Sequence, residues 1–350
     1  MPKPRPQVFL DANILISAGK PPGGPEIARV IDLVDAGLVT ILTTDLTVTE
    51  VAKKHASNDL EVVAPAAQPH FRKLVAGLTG LQLPDLKKAD LRVKLAETYQ
   101  AATEAMFKAL DAHTLKIDEV KPSQVFDAYA AGEGFFAEGK KDQFPDAFAF
   151  ECLKQQASAA TPVIVVSQDN DFVAPVKGQA HISLVGSLPA LFAELGLEME
   201  APEISQFLDA HKEELLDAVD KELVDWGLQG DVEDSEIDST SVTDVEVLQV
   251  TAFKPIEKGG PILVVARIGA MVDLTYSHPD WDNAMYDSED KVLIPFDDVS
   301  GETTVDIEID VSMSILVDDD GNPDEIESLG FRNADFVYVT LQPDDGYPYK

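Results

Sequence analysis

Four acidic residues stand where an alternating strand-helix chain places its chemistry. Asp11 follows the short apolar run Gln7-Val8-Phe9-Leu10, and Asp169 closes Val165-Val166-Ser167-Gln168, the end of a continuous β-branched run from Pro162. Glu50 lies in a helical stretch after a second apolar run, Leu38–Thr43, and Asp146 opens another helix in Phe144-Pro145-Asp146-Ala147, where proline suits the first turn. In open α/β sheets the ligand site lies beyond the carboxyl ends of the strands, so all four side chains are expected at one edge. Carboxylates gathered there repel one another unless positive charge joins them. Mg²⁺ or Mn²⁺ would resolve that cost, because both prefer hard oxygen ligands and, in paired sites, clamp the oxygens of an in-line phosphoryl displacement. The chemistry implied is phosphodiester hydrolysis by metal-activated water.

The neighbours of these acids offer further candidates. Asp142 lies four residues before Asp146 and either shares its face or caps the helix; Asp171 either adds a ligand or holds the turn after the strand. Lys140 and Lys141 could meet substrate phosphates as point charges, although lysines near a helix start are more often solvated. Taken singly, Asp11 reads as a strand-end turn residue and Asp146 as an acid favouring the helix dipole; it is the set of four that argues for a site. Competing chemistries lack their residues. No Gly-x-x-x-x-Gly-Lys-Ser/Thr loop is present, no two histidines have the His-x-x-x-His spacing, and Asn13 stands where a haloacid-dehalogenase-type phosphatase needs its second acid. Asp318-Asp319-Asp320-Gly321 has the start of a calcium loop, but Leu316 occupies a position that needs an aspartate, which leaves a hairpin turn.

The segments Val8–Asn13, Thr47–Val51, Phe144–Ala147 and Ser167–Phe172 resemble, in order and context, the four acidic motifs of PIN-domain nucleases. The resemblance covers about residues 6–195, and Lys140–Asp146 is similar to a PIN-like subfamily known largely from sequence. It implies Asp11, Glu50, Asp146 and Asp169 as metal ligands, Asn13 and Ser167 as orienting groups for the first and last of them, and Asp171 or Asp142 as an extra ligand. It also implies a nucleic-acid substrate, with RNA or a single strand favoured, and pairing into a homodimer. The insert between Glu50 and Asp146 is longer than in compact toxin-type members and is placed to shape substrate access.

Positioning the acids requires a β-α-β start over residues 7–43, helices near 45–56, 67–75, 86–111 and 145–156, a buried parallel strand at Pro162–Ser167 and a last strand at Ile182–Val185. That order predicts an α/β/α sandwich around a parallel sheet in residues 1–200. A helix over Ile204–Trp226 and an acidic linker over Asp231–Asp238 make up 201–238. Residues 239–350 then read as an acidic, mostly β domain, with strands at Val245–Ala252, Ile262–Tyr276, Lys291–Pro295, Thr303–Val317 and Ala334–Leu341, and an Asp320-Gly321 hairpin turn between the last two.

Charge bounds the partners. The chain has 350 residues and a formal net charge of −36; residues 1–200 hold 26 acids and 19 bases (−7), and residues 201–350 hold 37 acids and 8 bases (−29). Nucleic-acid affinity rests largely on phosphate neutralisation by Lys and Arg, so a broad basic surface is excluded and a local site is expected. The acidic C-terminal part suggests a nucleic-acid mimic or a dock for a basic protein partner, with a plain solubility role as the simpler reading. The alternative for the whole chain is therefore a non-catalytic PIN-like binding or scaffold module. A single cysteine, Cys152, and no apolar run long enough for a membrane span lead us to expect a cytoplasmic protein without membrane association.

Overall fold

A computed structural model describes residues 5–140, 143–200, 202–224, 226–281, 283–287, 292–331 and 336–341. Its contacts divide the chain into two units, the first running to Glu198 with Ile256–Lys258, the second taking Met199–Pro255 and continuing from Gly259.

The first unit opens on two short strands that are almost wholly buried. These are β1 (Gln7–Leu10), followed by α1 (Ala12–Ser17) and α2 (Pro25–Asp35), and β2 (Thr40–Thr44), followed by α3 (Asp45–Val63), α4 (Pro69–Thr79) and α5 (Lys88–Ala109). After β3 (His113–Leu115) come α6 (Pro122–Ala131), α7 (Phe144–Gln156), β4 (Val163–Val166), α8 (Val173–Val176), β5 (Ile182–Val185) and α9 (Leu188–Glu194). The strands form one parallel sheet in the order β3-β2-β1-β4-β5. Because β1 and β4 are buried on both faces, they are continuous hydrophobic runs rather than alternating ones. On one face, Phe135, Phe136, Phe150 and Phe172 form an aromatic core against Val163 and Val165, with Phe135 and Phe172 edge-to-face at 5.1 Å. The chain runs outward from β1 to β2 on one side and from β4 to β5 on the other, so the sheet's topological switch lies between β1 and β4, the place where an open α/β sheet leaves a crevice.

Helix α3, which carries Glu50, is anchored at both ends. Thr44 Oγ1 accepts from the Thr47 N–H at 3.1 Å and caps its start. Further along, Lys20 pairs with Asp59 at 2.8 Å, the Tyr99 hydroxyl donates to Asp59 at 2.5 Å, and His55 stacks on Tyr99 with ring centroids 5.5 Å apart. Ala52, Ala56 and Tyr99 fill the seam between α3 and α5.

The second unit consists of β6 (Glu198–Met199), α10 (Pro202–Ala210), α11 (Lys212–Leu223), β7 (Gly227–Gly230), β8 (Glu236–Phe253), β9 (Ile262–Pro279), β10 (Met285–Asp287), β11 (Val292–Ile294), β12 (Asp298–Val317), β13 (Pro323–Phe331) and β14 (Phe336–Val339). Its main sheet has the order β13-β12-β9-β8-β6, and the long strands β8, β9 and β12 pair antiparallel. The stretch expected as a helix and linker contributes to this core: Ile204, Leu208, Leu215, Val219 and Leu223 pack with Val264, Ile268, Val272, Ile309 and Val311. The turn at Asp320-Gly321 corrects the sequence expectation. It joins β12 to β13, not to the 334–341 strand, and β14 instead runs parallel to β7. Asp324, Glu325, Glu327 and Gly330 hide β13 from an apolar-alternation reading, although Gly321, at φ 89°, supplies the left-handed turn.

Candidate active site

The register of the two central strands sets Leu10 beside Val166, so that Asp11 and Ser167 leave the sheet together, with the Asp11 N–H donating to the Val166 carbonyl at 3.0 Å. The Asp11 carboxylate then caps α1, accepting from the Ala12 N–H at 2.8 Å through Oδ1. Its Oδ2 accepts from the Ser167 hydroxyl at 2.6 Å. That hydroxyl in turn accepts from the Asp169 N–H at 3.0 Å and from Asn13 Nδ2 at 3.3 Å, while Asn13 Oδ1 accepts from the Gln168 N–H at 3.4 Å. A serine hydroxyl has one proton to give and two lone pairs to fill, and here all three are used. Ser167 and Asn13 thus fix both strand ends relative to each other.

Asp169 caps the short turn Asn170–Phe172, accepting from the Asp171 N–H at 2.8 Å, so it is Asp169 rather than Asp171 that holds the turn. Asp171 pairs with the Lys140 ammonium. Lys140, one of the two lysines read as phosphate contacts, therefore has a carboxylate partner within the protein. Lys141 and Asp142 lie outside the described residues.

Electrostatics place Glu50 and Asp146 in the same field. Burial holds the Asp11 carboxyl above its usual range, the charge of Asp169 adds to this, and the hydrogen bonds from Ser167 and Ala12 oppose it. Desolvation and the charge of Asp11 raise Glu50, although the residue as a whole is exposed; Lys53 opposes them. Asp146, in the first turn of α7, is pushed up to about 7, first by burial and then by Asp11, Glu50, Asp169 and Asp171 together. The charges of four carboxyl groups, Asp11, Glu50, Asp169 and Asp171, therefore act on a fifth, that of Asp146. Among the described residues no three His, Cys, Asp or Glu side chains are placed so that together they could hold a metal ion, so the acids share a field rather than a coordination sphere. By its chemistry the donor set suits a hard divalent cation: oxygen ligands, partial burial and an excess of negative charge that adds to burial in pushing the Asp146 carboxyl up to about 7.

A helix cap and a nearby charge escaped the sequence reading. Thr44 and Thr47, the cap of the Glu50 helix, were legible as a Thr-x-x-Thr start after a strand. Lys53, one turn after Glu50, was legible only from helical spacing.

Residues 8–172 match the family model described as PIN domain. No curated protein and no solved structure matches the chain significantly.

Proposed function

We propose, from the match of residues 8–172 to the PIN-domain family, a nuclease-type superfamily whose members typically use divalent metals, that the chain is a metal-dependent endonuclease that hydrolyses phosphodiester bonds, with RNA as the favoured substrate. The observation that carries the reading is that the charges of Asp11, Glu50, Asp169 and Asp171 all act on Asp146, which burial first and then these four push up to about 7.

Asp11, Glu50, Asp146 and Asp169 would hold Mg²⁺ or Mn²⁺, with Asp171 as an additional ligand. The metal, when bound, supplies Lewis-acid stabilisation of the phosphoryl group and lowers the pKa of a water nucleophile. The protein's own residues prepare that chemistry. Ser167 and Asn13 keep the Asp11 carboxylate and the Asp169 turn in one orientation, so little reorganisation is needed on binding. Asp146, pushed up to about 7 in the free protein, would give up its proton more readily if a cation joined the cluster. Lys140 holds Asp171 at the rim.

The test is to incubate the full chain with labelled single-stranded RNA, single-stranded DNA and duplex DNA in Mn²⁺ or EDTA, beside Asp11→Ala. Cleavage that needs metal and fails in the variant supports the proposal and identifies the substrate class. Cleavage retained by Asp11→Ala would remove the proposed centre. No cleavage of any substrate by the wild type would favour the non-catalytic binding module.

A further inference from the structure

The segment from α4 into the first turns of α5 is a charge anomaly. Residues 68–95 contain six Lys and Arg against two acids, in a chain whose net charge is −36. Arg72 is consumed in folding the segment: it pairs with Asp85 at 2.6 Å and donates to the carbonyls of Ala66, Ala67 and Leu86 at 3.2, 2.8 and 3.3 Å. That clip ties α4, the following loop and the entry to α5 into one helical hairpin. The other five bases, Lys73, Lys87, Lys88, Arg92 and Lys94, are exposed, and among the described residues none forms an ion pair. Apolar side chains lie open between them. No residue of α4 is buried, Leu74 and Leu78 are 52% and 77% exposed, and Phe71, Leu81 and Val93 are open to solvent as well.

A surface of unpaired cations interleaved with apolar and aromatic groups fits a flexible polyanion that also has flat, apolar faces, which describes a single-stranded nucleic acid. Position supports the same occupant. In the seam between α3 and α5, Tyr99 packs on Ala52 and Ala56, two and six residues beyond Glu50. Counting back along α5 at 1.5 Å per residue, in the direction away from Glu50, puts Lys94, Arg92, Lys88 and Lys87 roughly 8 to 18 Å past that level, a span of several nucleotides from the carboxylates. We propose that this hairpin binds the sugar-phosphate backbone of a single-stranded substrate on its way to the carboxylate site, with Phe71 offering a face to a base. The proposal rests on the nuclease reading for its occupant, and it provides the local cationic surface that an otherwise acidic chain needs.

The experiment measures binding of a fluorescein-labelled oligouridylate of about 16 nucleotides to the full chain in EDTA, by anisotropy across a salt series. Comparison is made with Lys87→Gln/Lys88→Gln, with the quadruple variant that adds Arg92→Gln and Lys94→Gln, and with Lys121→Gln/Lys177→Gln as a control of equal charge change to the double variant. The quadruple variant is expected to bind at least about tenfold more weakly, with a salt slope reduced by about 2 to 3, and the control to bind like the wild type. The wild type and the three lysine and arginine variants are checked for an unchanged circular dichroism melt, and Asp146→Asn, a fifth protein checked for a melt no lower than the wild type's, is expected to retain binding. Equal affinity and slope in wild type and quadruple variant overturns the proposal, as does equal weakening by the control, which would make the effect one of overall charge. Absence of binding by the wild type also overturns it; if the hairpin variants then abolish self-association, the occupant is the acidic unit of a second copy. Hairpin-dependent binding without cleavage by the wild type in Mn²⁺ sustains this inference while removing the nuclease reading, so the two fail separately.

Discussion

At the scale of single residues, the site turns on one hydroxyl and one carboxyl. Ser167 donates to Asp11 and accepts from Asp169 and Asn13, so Ser167→Ala leaves Asp11 Oδ2 without the donor that stabilises its ionised form. The Asp11 carboxyl must then titrate at higher pH. We expect the acid limb of the pH-rate profile to move to higher pH in Ser167→Ala, with cleavage at neutral pH down by about 10- to 100-fold; a lower rate with an unshifted profile would make Ser167 merely structural. Asp146 gives the opposite kind of test. Its folded pKa, about 7, lies above that of an unfolded aspartate, so the folded state binds more protons between roughly pH 4 and 7 and metal-free stability falls as pH rises through that window. Asp146→Asn removes the repulsion and should raise the metal-free melting temperature at pH 8 by about 2 °C or more, whereas an unchanged or lower value would mean that the carboxyls do not crowd as described.

At the scale of elements, the order of strands and helices in the first unit was legible because parallel strands covered on both faces are continuous apolar runs. β1, β2, β4 and β5 announced themselves, as did α2, α3, α5 and α7. The three-residue β3, the six-residue α1 and α6 did not, since short elements give periodicity too little length and are set by tertiary packing instead. β13 was hidden by its charges, as β12 supplies its apolar partner surface on one side only. What holds α3 in place was also invisible, because Lys20, Asp59 and Tyr99 are far apart in sequence. Burial alone would raise the Asp59 carboxyl, but the hydrogen bonds from Lys20 and Tyr99 outweigh it and hold the group below its usual range. A lowered folded pKa contributes stability that is present above the unfolded value and lost as pH falls through the folded one. Asp59→Asn should therefore lower the melting temperature at pH 7 and flatten its decline under acid; parallel melting curves for variant and wild type would discount the brace.

At the scale of the whole molecule, charge decides more than shape. The four acids proposed for the site were picked out by order and context, but the surface that would bring a polyanion to them could not be. Net charge averages over the chain, and only the fold shows that five of the bases in residues 68–95 stand exposed and unspent. A net charge of −36 also strains the folded state through self-repulsion, so the melting temperature should rise as NaCl goes from about 0.02 to 0.3 M, where the Debye length shrinks to a few ångströms; a fall would mean that attractive pairs dominate. The central claim, that the converging carboxyls form a metal-dependent phosphodiester-cleaving centre, is tested most directly by single-turnover cleavage of labelled RNA in Mn²⁺ by wild type and Asp146→Asn, with Mn²⁺ affinity measured on the same proteins by calorimetry. The account predicts a rate at least about 100-fold lower and weaker metal binding in a variant that stays folded. Equal rates and equal Mn²⁺ affinity in the two proteins would contradict it.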